Sequence, residues 1–298
     1  MKIPNKFKSD SLLLNTDFNL HPYYEKTIKN YGEFSDTNVY NFDYKVIDNE
    51  ENFKEFFDTD HNKYIDNIDK ISKIFTKFEA DYKTADNKIF AKRLDFSQIK
   101  NNKKLLNDLY NLLLPGIEKN IYNSNVKIID LDSYQNTVCN SNKKISSWLW
   151  HFDNHPNEFI KMMIYLTDVD ENSGPIEFII DENNNGCKLK SDRIEKKDFF
   201  NRKKWDDPVY FKNQYNGNRI GEKDIEQLLK EGYKKKKILG KKGTIILFSE
   251  NLIHRANHAT KNYRNIINTV LSPSINKQNI YLNMSYLKDK RGYVKWLD

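Results

Sequence analysis

WLWHFDNHPNEFIKMMIYLTDVDENSGPIEF, Trp148 to Phe178, is the stretch on which the reading of this chain turns. It opens, from Ser147, on an aromatic and apolar run of strand character that closes on His151 and Asp153. In an extended chain residues two apart point to the same face, so one imidazole and one carboxylate converge. A later stretch, GTIILFSENLIHRANHATKNYR, Gly243 to Arg264, supplies a strand expected over Thr244 to Phe248, a turn, and His254. Two histidines and one carboxylate on one face of a metal make the facial triad that suits non-haem Fe(II), with positions left open for further ligands. Arg264 follows His254 and opens another apolar run, Asn265 to Leu271. A guanidinium forks onto a carboxylate with two parallel hydrogen bonds, which is how a dicarboxylate cosubstrate would be held.

The order and spacing of these groups resemble the phytanoyl-CoA dioxygenase family of Fe(II)/2-oxoglutarate oxygenases. The resemblance spans roughly Val126 to Ser274. Its specific parts are the Trp-His-x-Asp run, the strand FIKMMIYLTDVD, the Gly174-Pro175 turn, the strand to Phe248, and His254 with Arg264 behind it. It implies a mainly β protein with flanking helices, built on a double-stranded β-helix, the jelly-roll or cupin-like barrel, with Fe(II) near one mouth. Carried across residue by residue, His151, Asp153 and His254 bind iron and form the catalytic centre. Arg264 pairs with the distal carboxylate of 2-oxoglutarate. The implied reaction consumes O2, with ascorbate as a supporting reductant, and oxidises an unactivated C–H bond of a small metabolite or biosynthetic intermediate. Succinate and CO2 leave. Asp153 argues against a halogenase, in which a small residue opens a site for halide. The chain departs from the family after the Gly-Pro turn, where Ile179-Ile-Asp-Glu-Asn-Asn-Asn-Gly186 replaces a Pro-Gly-Ser-His type loop.

FIKMMIYLTDVD is almost continuously apolar, as a strand buried on both faces is. Lys161 and Tyr165 share one of those faces. Lysine is costly to bury unpaired, so Lys161 either reaches solvent along the strand or meets an anion. Tyr165 fills core or hydrogen-bonds 2-oxoglutarate from the barrel interior, and it is carried as a candidate cosubstrate ligand beside Arg264.

Of six histidines, four lie in the two key stretches, in pairs four residues apart: His151 with His155, and His254 with His258. On helices each pair would be a two-histidine zinc clamp. Pro156 and the flanking strand-like runs speak against helices there, which leaves His155 and His258 as residues that orient a ligand or merely pack. Two readings of other kinds remain: a non-catalytic jelly-roll binding module, and a nucleic-acid-modifying oxygenase.

The chain has 298 residues, 38% of them hydrophobic and 13% aromatic, enough to bury a core without disulfides. The net charge of +7 invites a nucleic-acid reading. Lysine here travels with abundant asparagine and isoleucine, so a solvated surface is the simpler account, including for the dense run Lys234 to Lys237 with Lys241 and Lys242. The expected partner is a small molecule, and the basic residues accommodate an anionic one. Two cysteines, Cys139 and Cys187, form no CxxC pair, which suits a reduced cytoplasm. No apolar run approaches the ~20 residues that span a bilayer, so a cytoplasmic protein with no membrane contact is expected.

One domain over 1–298 is expected. Residues 1–125 form an N-terminal support, irregular at first with a short strand near Tyr40 to Ile47. A helix stripe follows through Tyr64, Ile68, Ile71, Phe75 and Phe78, then a second helix through Leu105, Leu109, Leu112 and Leu113 that should stop before Pro115. Between them lies IFAKRLDFS, where Arg93 suggests a structural salt bridge or a reach to the substrate mouth. Residues 126–275 form the jelly-roll core, opening with strands VKIIDLD and SYQNTV. The polar stretch 183–237 reads as a lid-like insertion carrying Trp205 and Tyr210 and one helix, Lys223 to Glu231, ended by Gly232. A tail, 276–298, folds back on the barrel or supplies a dimer contact.

Overall fold

The computed structural model describes residues 41–84, 86–123, 125–141, 146–153, 159–189 and 219–274. The order of elements is strand β1 (Tyr44–Ile47), helices α1 (Glu50–Phe57) and α2 (His61–Ile74), and strands β2 (Phe78–Lys83) and β3 (Ile89–Leu94). Then come α3 (Phe96–Asn101), α4 (Lys103–Ile117), β4 (Asn125–Asn136), β5 (Ile160–Tyr165) and β6 (Ile176–Ile180). The described residues end with α5 (Glu222–Lys230), β7 (Lys234–Ile238), β8 (Ile245–Ser249), β9 (His254–Ala256) and β10 (Arg264–Ser274).

The described strands make two antiparallel sheets, a seven-stranded one in the order β1-β8-β5-β10-β4-β3-β2 and a three-stranded one in the order β7-β6-β9. The alternation along β5 explains how they stack. Met163 and Tyr165 point to one side, where they meet Ile246 and Phe248 of β8, Ile266 of β10, Ile176, Phe178 and Ile180 of β6, and Ile238 of β7. Met162 and Ile164 point to the other side, into a core shared with α1, α2 and α4 through Phe53, Phe57, Tyr64, Ile68, Leu109 and Leu113. The strand is buried on both faces, as its apolar run requires. The two facing sheets are the jelly-roll barrel, and the helices back the larger of them.

On the helix side, Asn49 and Asp60 accept from the first free N–H groups of α1 and α2, satisfying donors that a helix start leaves orphaned. Tyr110 of α4 reaches the sheet, its hydroxyl 2.6 Å from that of Thr269 on β10, both groups buried. Thr269→Val should cost about 1–3 kcal/mol in denaturant unfolding by stranding the Tyr110 hydroxyl in apolar surroundings. A value near zero would mean that the phenol finds another partner.

Several sequence expectations are met. Tyr44–Ile47 is a strand, α2 carries Tyr64, Ile68 and Ile71 on its buried face, and Gly232 takes φ +97° after α5. Others are corrected. Helix α4 runs through Pro115 to Ile117 and continues as one wider turn, Glu118–Tyr122. Proline removes a single hydrogen bond near the helix end, while Leu112, Leu113, Leu114, Gly116, Ile117, Ile121 and Tyr122 are all buried and hold the turns in place. A Cβ on Gly116 would lie 2.8 Å from the Phe56 carbonyl oxygen and the Phe57 Cα, so α1 and α4 meet backbone to backbone there. VKIIDLD and SYQNTV are one strand, β4, paired along its length with β10 and bulged opposite Val270 and Leu271. Phe78 begins β2 and does not extend the helix stripe.

Lys234–Ile238 pairs with β6 as the edge of the smaller sheet. Helix α5 covers the outer face of that sheet, with Ile225 packed on Trp150, Ile179 and Ile253. Among the described residues β7 has no second neighbour, and a row of lysines along such an edge discourages pairing with another chain. Lys237 is paired with Glu171, Lys241 with Asp168 and Lys242 with Asp69. Residues 190–218, with Trp205 and Tyr210, and the tail from 275 lie outside the described residues, as does His155.

Candidate metal centre

Ser147 to Asp153 forms no regular strand. A short 3-10 turn, Ser146–Trp148, leads into isolated bridges at His151, of which the one to His254 matters here. That bridge supplies what strand alternation was expected to supply. The His151 N–H donates to the His254 carbonyl at 2.9 Å and the His254 N–H to the His151 carbonyl at 2.8 Å. This reciprocal pair sets the two residues directly opposite each other, and their rings lie 4.2 Å apart between centroids. Asp153 is tied in by its own N–H, which donates to the Glu250 carbonyl at 2.8 Å.

Each imidazole is pinned in the same way. Nδ1 of His151 lies 2.7 Å from the Leu149 carbonyl oxygen and Nδ1 of His254 lies 2.7 Å from that of Leu252. A carbonyl can only accept, so Nδ1 carries the proton and Nε2 is left with its lone pair free, as a metal ligand needs. The Nε2 atoms of His151 and His254 lie 3.9 and 3.8 Å from the Asp153 carboxylate. Burial holds both imidazoles below their ordinary pKa; for His151 the neighbouring His254 pushes the same way, while for both the Asp153 carboxylate pulls back. One ligand atom from each of His151, Asp153 and His254 falls within 4.8 Å of the others. The three residues named from the sequence are therefore brought together.

Arg264 opens β10 on the same side of the strand as Ile266, so it faces the space between the sheets. It is 1% exposed, and its Nε and Nη1 have no hydrogen-bond partner among the described residues. A guanidinium buried with two idle donors fits an anion bound by its fork. A divalent cation at the triad and a dicarboxylate reaching Arg264 are thus groups for which the residues present are suited. Tyr165 is buried beside Arg264, and its hydroxyl donates to the Ile238 carbonyl at 2.7 Å. Burial pushes this phenol up and Arg264 pulls it back.

Among the other expected groups, Arg93 meets Asp132 at 3.2 Å, the structural salt bridge. His258 stacks on Trp148 at 3.5 Å between centroids, well packed and not part of the triad. Lys161 meets two anions, Asp153 and Glu250. Glu250 and Arg219 were not singled out by sequence. Arg219 bridges to His151 and its charge is felt by both triad histidines. The only sequence signal for Glu250 is a carboxylate set between apolar runs, Ile245 to Phe248 and Leu252-Ile253.

Two buried histidines and a part-buried aspartate on a jelly-roll barrel make the donor set that suits a non-haem iron centre. Residues 146–266 match the phytanoyl-CoA dioxygenase (PhyH) family. No curated protein sequence matches the chain significantly. Solved structures similar to it include the epimerase SnoN from nogalamycin biosynthesis in complex with Fe3+, alpha-ketoglutarate and nogalamycin RO (10% identity, 87% of this chain and 93% of that one, TM-score 0.46). EctD from S. alaskensis with bound Fe is another (15% identity, 78% and 73% covered, TM-score 0.41). A third is HygX from Streptomyces hygroscopicus with nickel and 2-oxoglutarate (12% identity, 86% and 93% covered, TM-score 0.42).

Proposed function

We propose that the protein is an Fe(II)/2-oxoglutarate-dependent dioxygenase that hydroxylates, or otherwise oxidises, a C–H bond of a small molecule. The observation that carries this reading is the buried, half-idle guanidinium of Arg264 facing the same interior as the His151, Asp153 and His254 cluster. A metal site alone suits many chemistries, whereas a metal site with a carboxylate clamp in its own barrel suits a keto-diacid cosubstrate. Bound there, iron and 2-oxoglutarate supply the oxidising chemistry, with succinate and CO2 as coproducts.

The chain's own residues position and shield. His151 and His254 present Nε2 lone pairs held in place by the Leu149 and Leu252 carbonyls. Asp153 adds a negative charge to two neutral imidazoles, which strengthens the attraction for a divalent ion. Arg264 takes the distal carboxylate of 2-oxoglutarate. Tyr165, buried beside Arg264 with its hydroxyl donating to the Ile238 carbonyl, stays a candidate cosubstrate ligand, its oxygen able to turn to 2-oxoglutarate from the barrel interior. Met163, Phe178, Ile246 and Phe248 keep water from the interior. The substrate is a small molecule, and Arg219 beside the triad favours one with an anionic group. The two cysteines are free, which fits the cytoplasm as the setting. No helix among the described residues is long and apolar enough to cross a membrane. Lys236, Lys237, Lys241 and Lys242 are each engaged within the chain, so a nucleic-acid-modifying reading gains no support.

The test is succinate formation from 2-oxoglutarate by purified protein with Fe(II) and ascorbate under air, with fractionated metabolite pools as substrate source. Succinate that rises with a pool and disappears in His151→Ala supports the reading. Absence of succinate with every pool, from a protein that holds no iron, would leave a non-catalytic binding module. Arg264→Met should weaken 2-oxoglutarate ~10–100-fold, matching the ~1.5–3 kcal/mol of hydrogen bonds to a charged group. The measurement is KM for 2-oxoglutarate, and an unchanged KM would remove Arg264 from the cosubstrate site.

A further inference from the structure

The neighbours of Arg264 on the inner face of the larger sheet differ in what they have left to give a ligand. Arg264 stands opposite Asn136 on β4, and Ile266, two residues along its own strand, stands opposite both Tyr134 on β4 and Tyr165 on β5. The two tyrosines are therefore diagonal to Arg264, ~7–8 Å away between positions, a gap that aromatic and long side chains span. Asn136 spends its Nδ2 on the Gly174 and Asn257 carbonyls, and Tyr165 spends its hydroxyl on the Ile238 carbonyl. Arg93, opposite Tyr134 on β3, is turned to Asp132. The Tyr134 hydroxyl has no hydrogen-bond partner among the described residues, and its ring packs, half-buried, on the interior cluster that holds Met163, Tyr165 and Ile266.

The register also places Tyr134 on the path of a ligand. Lys161, which contacts Asp153 of the triad, is opposite Val270 on β10, and Arg264 begins the same strand on the same face. The row of Tyr134, Ile266 and Tyr165 falls between the two levels. A ligand that reaches from the triad to Arg264 crosses that row. Burial pushes the Tyr134 phenol above its ordinary pKa, against the pull of Arg264, so it keeps its proton. A protonated phenol diagonal to a guanidinium with idle donors is a further donor for the same anion, and hydrogen bonds to an ionised acceptor are the strong ones.

We propose that Tyr134 is a binding residue for the cosubstrate, its hydroxyl donating to the distal carboxylate that Arg264 forks, so that the site favours a keto acid with a second carboxylate over one that ends in a methyl group. This rests on the oxygenase reading above. Tyr134 fits the part better than its neighbours because its donor is uncommitted, whereas those of Asn136 and Tyr165 are engaged with main-chain carbonyls.

The experiment titrates two ligands calorimetrically, without oxygen, into Co(II)-loaded wild type, Y134F and R264M. One ligand is 2-oxoglutarate and the other is 2-oxopentanoate, which has a methyl group in place of the distal carboxylate. Y134F removes an oxygen that holds nothing among the described residues, so the metal-free variant should melt with the metal-free wild type. It is expected to bind 2-oxoglutarate about tenfold less tightly, the lower end for a hydrogen bond to a charged group, and to bind 2-oxopentanoate as wild type does. Wild-type affinity of Y134F for 2-oxoglutarate would overturn the proposal. So would an equal loss for both ligands, which is the mark of disturbed packing. A fluorotyrosine at position 134 of the full chain gives a second measurement that keeps the hydroxyl. Its fluorine resonance should move with 2-oxoglutarate and not with 2-oxopentanoate, and a resonance that treats the two alike would count against the proposal as heavily. Loss of affinity in R264M beside an indifferent Y134F overturns this proposal alone, whereas metal-loaded wild type that takes up no 2-oxoglutarate overturns it together with the oxygenase reading.

Discussion

His254→Ala is expected to abolish stoichiometric metal binding and, with it, all succinate formation. Three ligand atoms within 4.8 Å of one another are the whole of the cluster among the described residues. Removing one leaves an imidazole and a carboxylate, and the carboxylate already answers to Lys161. The loss of a direct ligand should exceed the ~10–100-fold that loss of an outer partner costs. His254 also pairs with His151 through the backbone, but those two hydrogen bonds belong to the main chain and survive the substitution. The metal-free variant should therefore unfold close to where the metal-free wild type does. Metal content after dialysis, read beside a thermal melt of both metal-free proteins, checks this. A variant that keeps one equivalent of tightly held iron would show that the triad is misassigned.

Gly174→Ala is the largest stability effect expected outside the triad. Gly174 takes φ +69°, where an L side chain is strained by roughly 1–2 kcal/mol. The added Cβ would meet Asn136 Nδ2 at 2.2 Å, the Asn257 carbonyl oxygen at 2.6 Å and the Ala259 nitrogen at 2.8 Å. Asn136 cannot simply turn away, because its Nδ2 donates to the carbonyls of Gly174 and Asn257 and so ties the end of β4 to the turn before β6 and to the loop after β9. Two of the three contacts are backbone, and forcing an extra methyl into such a site costs a further ~1–3 kcal/mol. Denaturant unfolding of the metal-free protein should register ~2–5 kcal/mol in all. A change within about 0.5 kcal/mol, the range of an ordinary surface substitution, would mean that the turn is looser than drawn.

Much of the site is legible in the sequence because its parts are local. His151 and Asp153 are two residues apart, and Arg264 stands at the head of an apolar strand, so spacing and chemistry suffice. The means of assembly is less local. Strand alternation was expected to align His151 with Asp153, yet the alignment comes from a backbone pair with His254, which depends on how β9 lies against β6. Lys161 reads as either reaching solvent or meeting an anion, and strand order decides it: β5 and β8 are neighbours, and that brings the turn carrying Glu250 to the lysine. The same holds for the fold. The double burial of β5 and the stripe of α2 follow from their own periodicity. Lys234 to Lys237 reads as a solvated basic run until β6 is placed beside it, because four lysines in a row carry no apolar alternation. Pro115 misleads because a local rule about proline was set against burial of the following turns, and burial won.

The central claim is that the triad and Arg264 act on one ligand. Its most direct test is an anaerobic titration of 2-oxoglutarate into the protein with and without one equivalent of Fe(II). One-to-one binding that requires the metal and weakens in Arg264→Met is the predicted result. Binding that is indifferent to the metal, or absent in its presence, would contradict the account.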